Sequence, residues 1–97
     1  MTTQTLESLS KHARLRQAQR KIPPLIIEWL QDYGARFYDG KGAEIVQFDK
    51  ESRRRLAKVV GEQIMNRLSE FLGAYAVLGL DGSVITVGWR YKRYQRR

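Results

Sequence analysis

Ala74-Tyr75-Ala76-Val77-Leu78-Gly79-Leu80-Asp81-Gly82-Ser83-Val84-Ile85-Thr86-Val87-Gly88-Trp89 places β-favouring residues on both sides of an Asp-Gly pair. Asp81-Gly82 suits the two positive-φ positions of a two-residue type I′ turn, so the segment reads as an antiparallel hairpin. Counting from that turn sets Leu80 opposite Ser83, Leu78 opposite Ile85, Ala76 opposite Val87 and Ala74 opposite Trp89. One face then carries Ala76, Leu78, Ile85, Val87 and Trp89 and is the predicted core side. The other, more polar, carries Tyr75, Val77, Val84 and Thr86 and leads toward Arg90 and Lys92.

An earlier pair of short strands is predicted at Ala35–Tyr38 and Ala43–Phe48, around the turn Asp39-Gly40-Lys41-Gly42. That turn lacks the Gly-Lys-Ser/Thr ending of a phosphate loop. Between the hairpins, Asp49 is placed to cap a helix in which Leu56, Val59 and Val60 share an apolar face. Beyond Gly61 the apolar direction turns, through Ile64, Leu68, Phe71 and Leu72, which predicts a bent helix or a helix pair. Upstream, residues 5–21 suit a helix whose stripe runs Leu6, Leu9, Ala13, Arg16 and Arg20. Ile22-Pro23-Pro24 ends it and opens a second helix, with Leu25, Ile26, Trp29, Leu30 and Tyr33 on one face and Gly34 at its C′ position. The fold class is therefore α+β: two N-terminal helices, a hairpin, a bent helix or helix pair, and a C-terminal antiparallel hairpin. Residues 1–97 are expected to form one domain, with 1–8 frayed and 95–97 a flexible basic tail.

Composition narrows the function classes. Eighteen Lys and Arg stand against ten Asp and Glu, a formal charge of +8, which favours polyanionic partners. The chain has no cysteine, which removes disulfides, thiolate metal sites and a thiol nucleophile. One histidine, His12, is too few for a His-rich metal site. No metal and no cofactor is expected. The first residues show no signal-like apolar run, so a cytoplasmic protein with no membrane partner is the expectation.

The main candidate interface is the C-terminal run from Trp89, where Arg90, Lys92, Arg93 and Arg96 interleave with Tyr91 and Tyr94. Guanidinium and ammonium groups neutralise phosphates while aromatic rings offer stacking surfaces to unpaired bases. Arg53, Arg54, Arg55 and Lys58 add a basic helix surface that contributes if it lies beside the C-terminal strand. His12, Arg16 and Arg20 could form a cationic row along the first helix. If Arg16 and Arg20 are half-buried, each needs a carbonyl or a carboxylate such as Asp32, Asp39, Glu44 or Asp49. These features point to a nucleic-acid-binding protein, RNA before DNA. The rival reading is an interaction protein, of mobile-element type, whose basic surface grips an acidic protein partner or blocks a nucleic-acid site.

The motif His-Ala-x-x-Arg-x-x-x-Arg-x-Ile, carried by His12, Ala13, Arg16, Arg20 and Ile22 and followed by a helix ending at Gly34, resembles a family of small bacterial domains related to RelE/ParE-like toxins. The Val84-Ile85-Thr86-Val87 segment running out to Arg90-Tyr91 is similar to the late strand of those domains. The resemblance implies a RelE-like sheet with two helices packed on it and, for active members, metal-independent cleavage of messenger RNA on the ribosome. On that basis Arg90, Tyr91, Lys92 and Tyr94 are the candidate catalytic residues, Arg and Lys stabilising a pentacoordinate phosphate while Tyr or Lys moves a proton. Two features depart from the pattern: no apolar strand precedes the first helix, and a long helical stretch, Lys50 to Leu72, separates the hairpins.

Overall fold

The computed structural model describes residues 9–90. The expected fray at 1–8 and basic tail at 95–97 lie outside them. Helix α1 spans Lys11–Gln19 and α2 Pro24–Tyr33; β1 is Ala35–Tyr38 and β2 Glu44–Gln47; α3 is Lys50–Val60 and α4 Glu62–Arg67; a 3-10 turn at Ser69–Phe71 leads into β3, Ala74–Leu78, and β4, Val84–Trp89. The four strands form one antiparallel sheet in the order β1-β2-β3-β4. This is the α+β order read from the sequence: two helices, a hairpin, a broken helical stretch, a hairpin.

Strand alternation divides the sheet. The rows Arg36–Val46–Ala76–Val87 and Tyr38–Glu44–Leu78–Val84 point to one side; Ala35–Gln47–Tyr75–Gly88 and Phe37–Ile45–Val77–Thr86 point to the other. Helix α2 packs on β2 and β3, and α3 packs on α2. Val46, Ala76, Leu78, Val84 and Val87 are buried with Ile26, Ile27, Trp29, Leu30, Phe48 and Leu56. That identifies the helix-covered face.

Local chemistry explains most element ends. Pro24 stands at N1 of α2, where its missing N–H costs nothing. At α3, Asp49 accepts from the Ser52 N–H and Ser52 Oγ accepts from the Asp49 N–H, a reciprocal capping box. The break at Gly61 is real: its φ of 90° and ψ of 157° suit glycine and separate α3 from α4.

Several expectations are corrected. Leu9 is not helical; it bridges Val84 in parallel, and α1 starts at Lys11 with the Ser10 side chain accepting from the Ala13 N–H. Gly34 adopts φ −66°, ψ 153°, so it is no left-handed cap. A β-carbon there would stand 2.5 Å from Val46 Cγ1 and 2.6 Å from the Leu30 carbonyl oxygen, so the position needs room rather than a positive φ. Leu25 and Ile64 face outward, while Ile27 is buried and Met65 packs on the core. Val59 is 62% exposed, leaving Leu56 and Val60 to face inward with Ser52.

The C-terminal hairpin has a three-residue loop, not a two-residue one. The Gly79 N–H donates to the Ser83 carbonyl at 2.9 Å and the Gly82 N–H to the Gly79 carbonyl at 3.0 Å, enclosing Leu80-Asp81-Gly82. The extra loop residue slips the register by one, so Leu78 faces Val84. A bulge at Ile85 then restores the expected pairing of Ala76 with Val87 and Ala74 with Trp89. Val84 is therefore core and Ile85 is 41% exposed, the reverse of the expected assignment.

Candidate nucleic-acid interface

The side chains around the C-terminal end of β4 are organised by backbone carbonyls. The Arg90 N–H donates to the Gly73 carbonyl at 2.7 Å, extending the β3–β4 pairing beyond Trp89. Its guanidinium Nη1 donates to the Phe48 carbonyl at 3.0 Å, reaching past the start of β3 to the end of β2. Arg53, in the first turn of α3, donates through Nη2 to the Leu72 carbonyl at 3.3 Å, one residue from the Arg90 backbone contact. Arg20, at the C-terminal end of α1, donates through Nη1 to the Val87 carbonyl at 2.9 Å, on the outer edge of β4. The Trp89 indole N–H returns a bond to the Arg20 carbonyl at 3.1 Å, while its ring lies 6.3 Å from Phe71 on the covered side. Arg53 and Arg90 thus bond the segment where β3 begins, at Leu72 and Gly73, while Arg20 lies on the outer edge of β4 at Val87. A carbonyl acceptor satisfies an N–H and leaves the positive charge in place.

The four α3 cations do not form one surface. With Ser52 and Leu56 buried, 100° per residue puts Arg53 on one flank of the helix and Arg55 on the other, with Arg54 and Lys58 pointing away from the core. Arg55 Nη2 caps the end of α2 through the Tyr33 carbonyl at 3.0 Å, and Arg54 pairs with Glu51 at 3.0 Å. Glu51 also lies 4.0 Å from Arg55. Only Arg53 joins the sheet end. There the neighbouring acid is Asp49, held below the usual carboxylate range first by the Ser52 backbone N–H and then by the Ser52 side chain.

The row on α1 is likewise divided. Arg16 Nε donates to His12 Nε2 at 3.4 Å and its Nη1 to Gln19 Oε1 at 3.1 Å. Arg20 instead turns to the strand edge. None of Asp32, Asp39, Glu44 or Asp49 serves Arg16 or Arg20; the Glu44 carboxylate pairs with Arg36 at 3.1 Å. Of the candidate catalytic and tail residues, Arg90 is described, and Tyr91, Lys92, Arg93, Tyr94 and Arg96 lie outside the described residues. Among the described residues, no cluster of three His, Asp or Glu could hold a metal ion, and no helix is long and apolar enough to cross a membrane.

A β-carbon on Gly88 would stand 2.9 Å from Tyr75 Cε1, 3.0 Å from the Tyr75 hydroxyl and 3.1 Å from Arg20 Nη1. The Tyr75 ring and the Arg20 guanidinium therefore flank one point above β4, on the side of the sheet away from the helices. The available signal was the glycine in a strand, which marks close approach of another group.

The chain matches no family model, no curated protein and no solved structure. The RelE/ParE-like resemblance therefore stands on the quoted motifs alone, and the shared ground with such a fold is the α+β class.

Proposed function

We propose that this protein binds RNA through the basic end of its sheet, with Arg20, Arg53 and Arg90 contacting phosphates. The observation that supports the reading is that Arg53 and Arg90, from α3 and the exit of β4, bond the carbonyls of Leu72 and Phe48 at one end of the sheet, with Arg20 of α1 on the Val87 carbonyl at the outer edge of β4. The overall charge of +8 supports it, because phosphate neutralisation supplies most of the affinity in such complexes. The sequence after Arg90 adds Lys92, Arg93, Arg96 and Arg97 interleaved with Tyr91 and Tyr94.

RNA binding measured by fluorescence polarisation should weaken steeply as salt rises. Arg53→Gln and Arg20→Gln should each reduce the slope of log affinity against log salt by about 0.7, the loss for one phosphate contact on a single strand. Absence of binding at low salt would falsify the proposal. A protein partner that co-purifies in equal amount and survives nuclease treatment would favour the acidic-partner reading instead. The proposal is for binding without cleavage. Messenger RNA should stay intact with the protein alone and on translating ribosomes; defined cuts would restore the toxin-like reading.

A further inference from the structure

The face of the sheet opposite α2 and α3 has a chemistry of its own, with α1 packed along β4 and Gly88 buried beneath Tyr75 and Arg20. Its two rows, Ala35–Gln47–Tyr75–Gly88 and Phe37–Ile45–Val77–Thr86, contain no Asp, Glu, Lys or Arg. Phe37 is 46% exposed there, and Tyr75, Ile45, Val77 and Thr86 are partly exposed. Arg20 places its guanidinium on this face, beside the Tyr75 ring over Gly88. Arg90, next after Trp89, extends the rim of the same end toward β2. The result is an apolar and aromatic floor with positive charge along one end.

We propose that this open face is a stacking platform for the unpaired bases of single-stranded RNA, a reading that rests on the RNA-binding function above. Bases have apolar, polarisable faces and carry one negative charge per nucleotide on the backbone. A floor without carboxylates, ending in guanidiniums, complements both. Phe37 and Tyr75 lie two strands apart and two residues apart along the strands, about 12 Å by ordinary sheet spacings. That is too far for the rings to stack on each other, so each presents its face to a different base. A duplex, whose bases are already stacked, gains nothing from such a floor.

The test compares a labelled dodecamer of oligouridylate with an RNA duplex of the same strand length at low salt, using the full chain. Phe37→Ser and Tyr75→Leu should each weaken oligouridylate binding about tenfold, the size of one lost base–aromatic stack, and leave duplex binding unchanged. Tyr75→Phe should retain the affinity, which separates loss of the ring from loss of the fold; thermal melts of each variant check the latter. If Phe37→Ser and Tyr75→Leu bind like the parent while Arg53→Gln weakens binding, the platform is wrong and the RNA-binding function stands. If the parent binds neither RNA, both fall. Equal affinity for the duplex, or a parent dimer that Phe37→Ser converts to monomer, overturns the platform in favour of phosphate-only contact or of a second copy on this face.

Discussion

On the helix-covered side of the sheet, Val46, Ala76, Leu78, Val84 and Val87 are buried and exposure is confined to edge strand β1, where Tyr38 is 68% exposed, whereas on the opposite side Phe37 is 46% exposed and Ile45, Val77 and Tyr75 of the inner strands are only partly buried. Both sides belong to the same four strands and share one set of backbone hydrogen bonds. They differ in what lies over them. The covered side concentrates the apolar burial that stabilises the fold. The opposite side carries Phe37 and Tyr75, the rings assigned above to the proposed platform.

The sharpest way to break this contrast is a pair of truncations at phenylalanines. Phe48, fully buried at the end of β2, should cost about 3–5 kcal/mol when replaced by Ala, lowering the melting temperature by more than about 12 °C. Phe37→Ser on the open face should cost under about 1 kcal/mol in the same melt. If the two variants lose similar stability, the open face is part of the core and the division fails.

A smaller contrast comes from two glycines. Gly34→Ala would drive a methyl into the Leu30 carbonyl and Val46, one a backbone atom and the other a side chain fixed by packing, at a cost of about 1–3 kcal/mol. Gly88→Ala would meet the far ends of Tyr75 and Arg20, which can swing aside, so its cost in a melt should be clearly smaller. It should nevertheless weaken oligouridylate binding, since the displaced ring and guanidinium are those assigned to the platform. A Gly88→Ala protein that is as unstable as Gly34→Ala, or that binds RNA normally, would contradict the assignment.

These contrasts also show which features the sequence could reveal. The element order was readable because helix periodicity, the Pro23-Pro24 pair, Gly61 and Asp49 are local signals. The capping box is half legible, through Asp49; its partner Ser52 carries no signal because serine inside a helix reads as neutral. The end of α1 was obscured in another way. Lys21 takes φ 55°, its N–H bonds the Ala18 carbonyl and the Ile22 N–H bonds the Gln17 carbonyl, a Schellman arrangement without its usual glycine. The bulge at Ile85 was hidden because Val84 and Ile85 are chemically alike, so only the loop length determines which of them faces the core. The contacts of Arg20, Arg53 and Arg90 depend on carbonyl positions that only the assembled sheet defines. The character of the open face depends on both hairpins: the C-terminal one supplies Tyr75, Val77 and Thr86, and only the β2–β3 pairing sets Phe37 and Ile45 beside them.

Acid should loosen both sides of the sheet, and the groups responsible can be named. Asp49 starts the helix behind the covered face, while Asp39 and Asp81 tie the two hairpin loops. The Lys41 backbone N–H, then that of Ala43, lowers the pKa of Asp39; the Ser83 backbone N–H, then its hydroxyl, lowers that of Asp81. All three carboxyls thus fall below the ordinary value of 3.8 in the folded chain. Their stabilisation is fully present above that value and is lost as pH falls through the lower folded-state values. Melting temperature should therefore be flat from neutrality to about pH 5 and decline below about pH 4. Asp49→Ala should lower the plateau and shrink the decline, because the box with Ser52 is then already absent. Asp39→Asn and Asp81→Asn should shrink the decline without altering packing on the covered face. An acid limb of unchanged depth in all three variants would place the responsible protonation elsewhere and remove these caps from the account of what holds the two faces to one sheet.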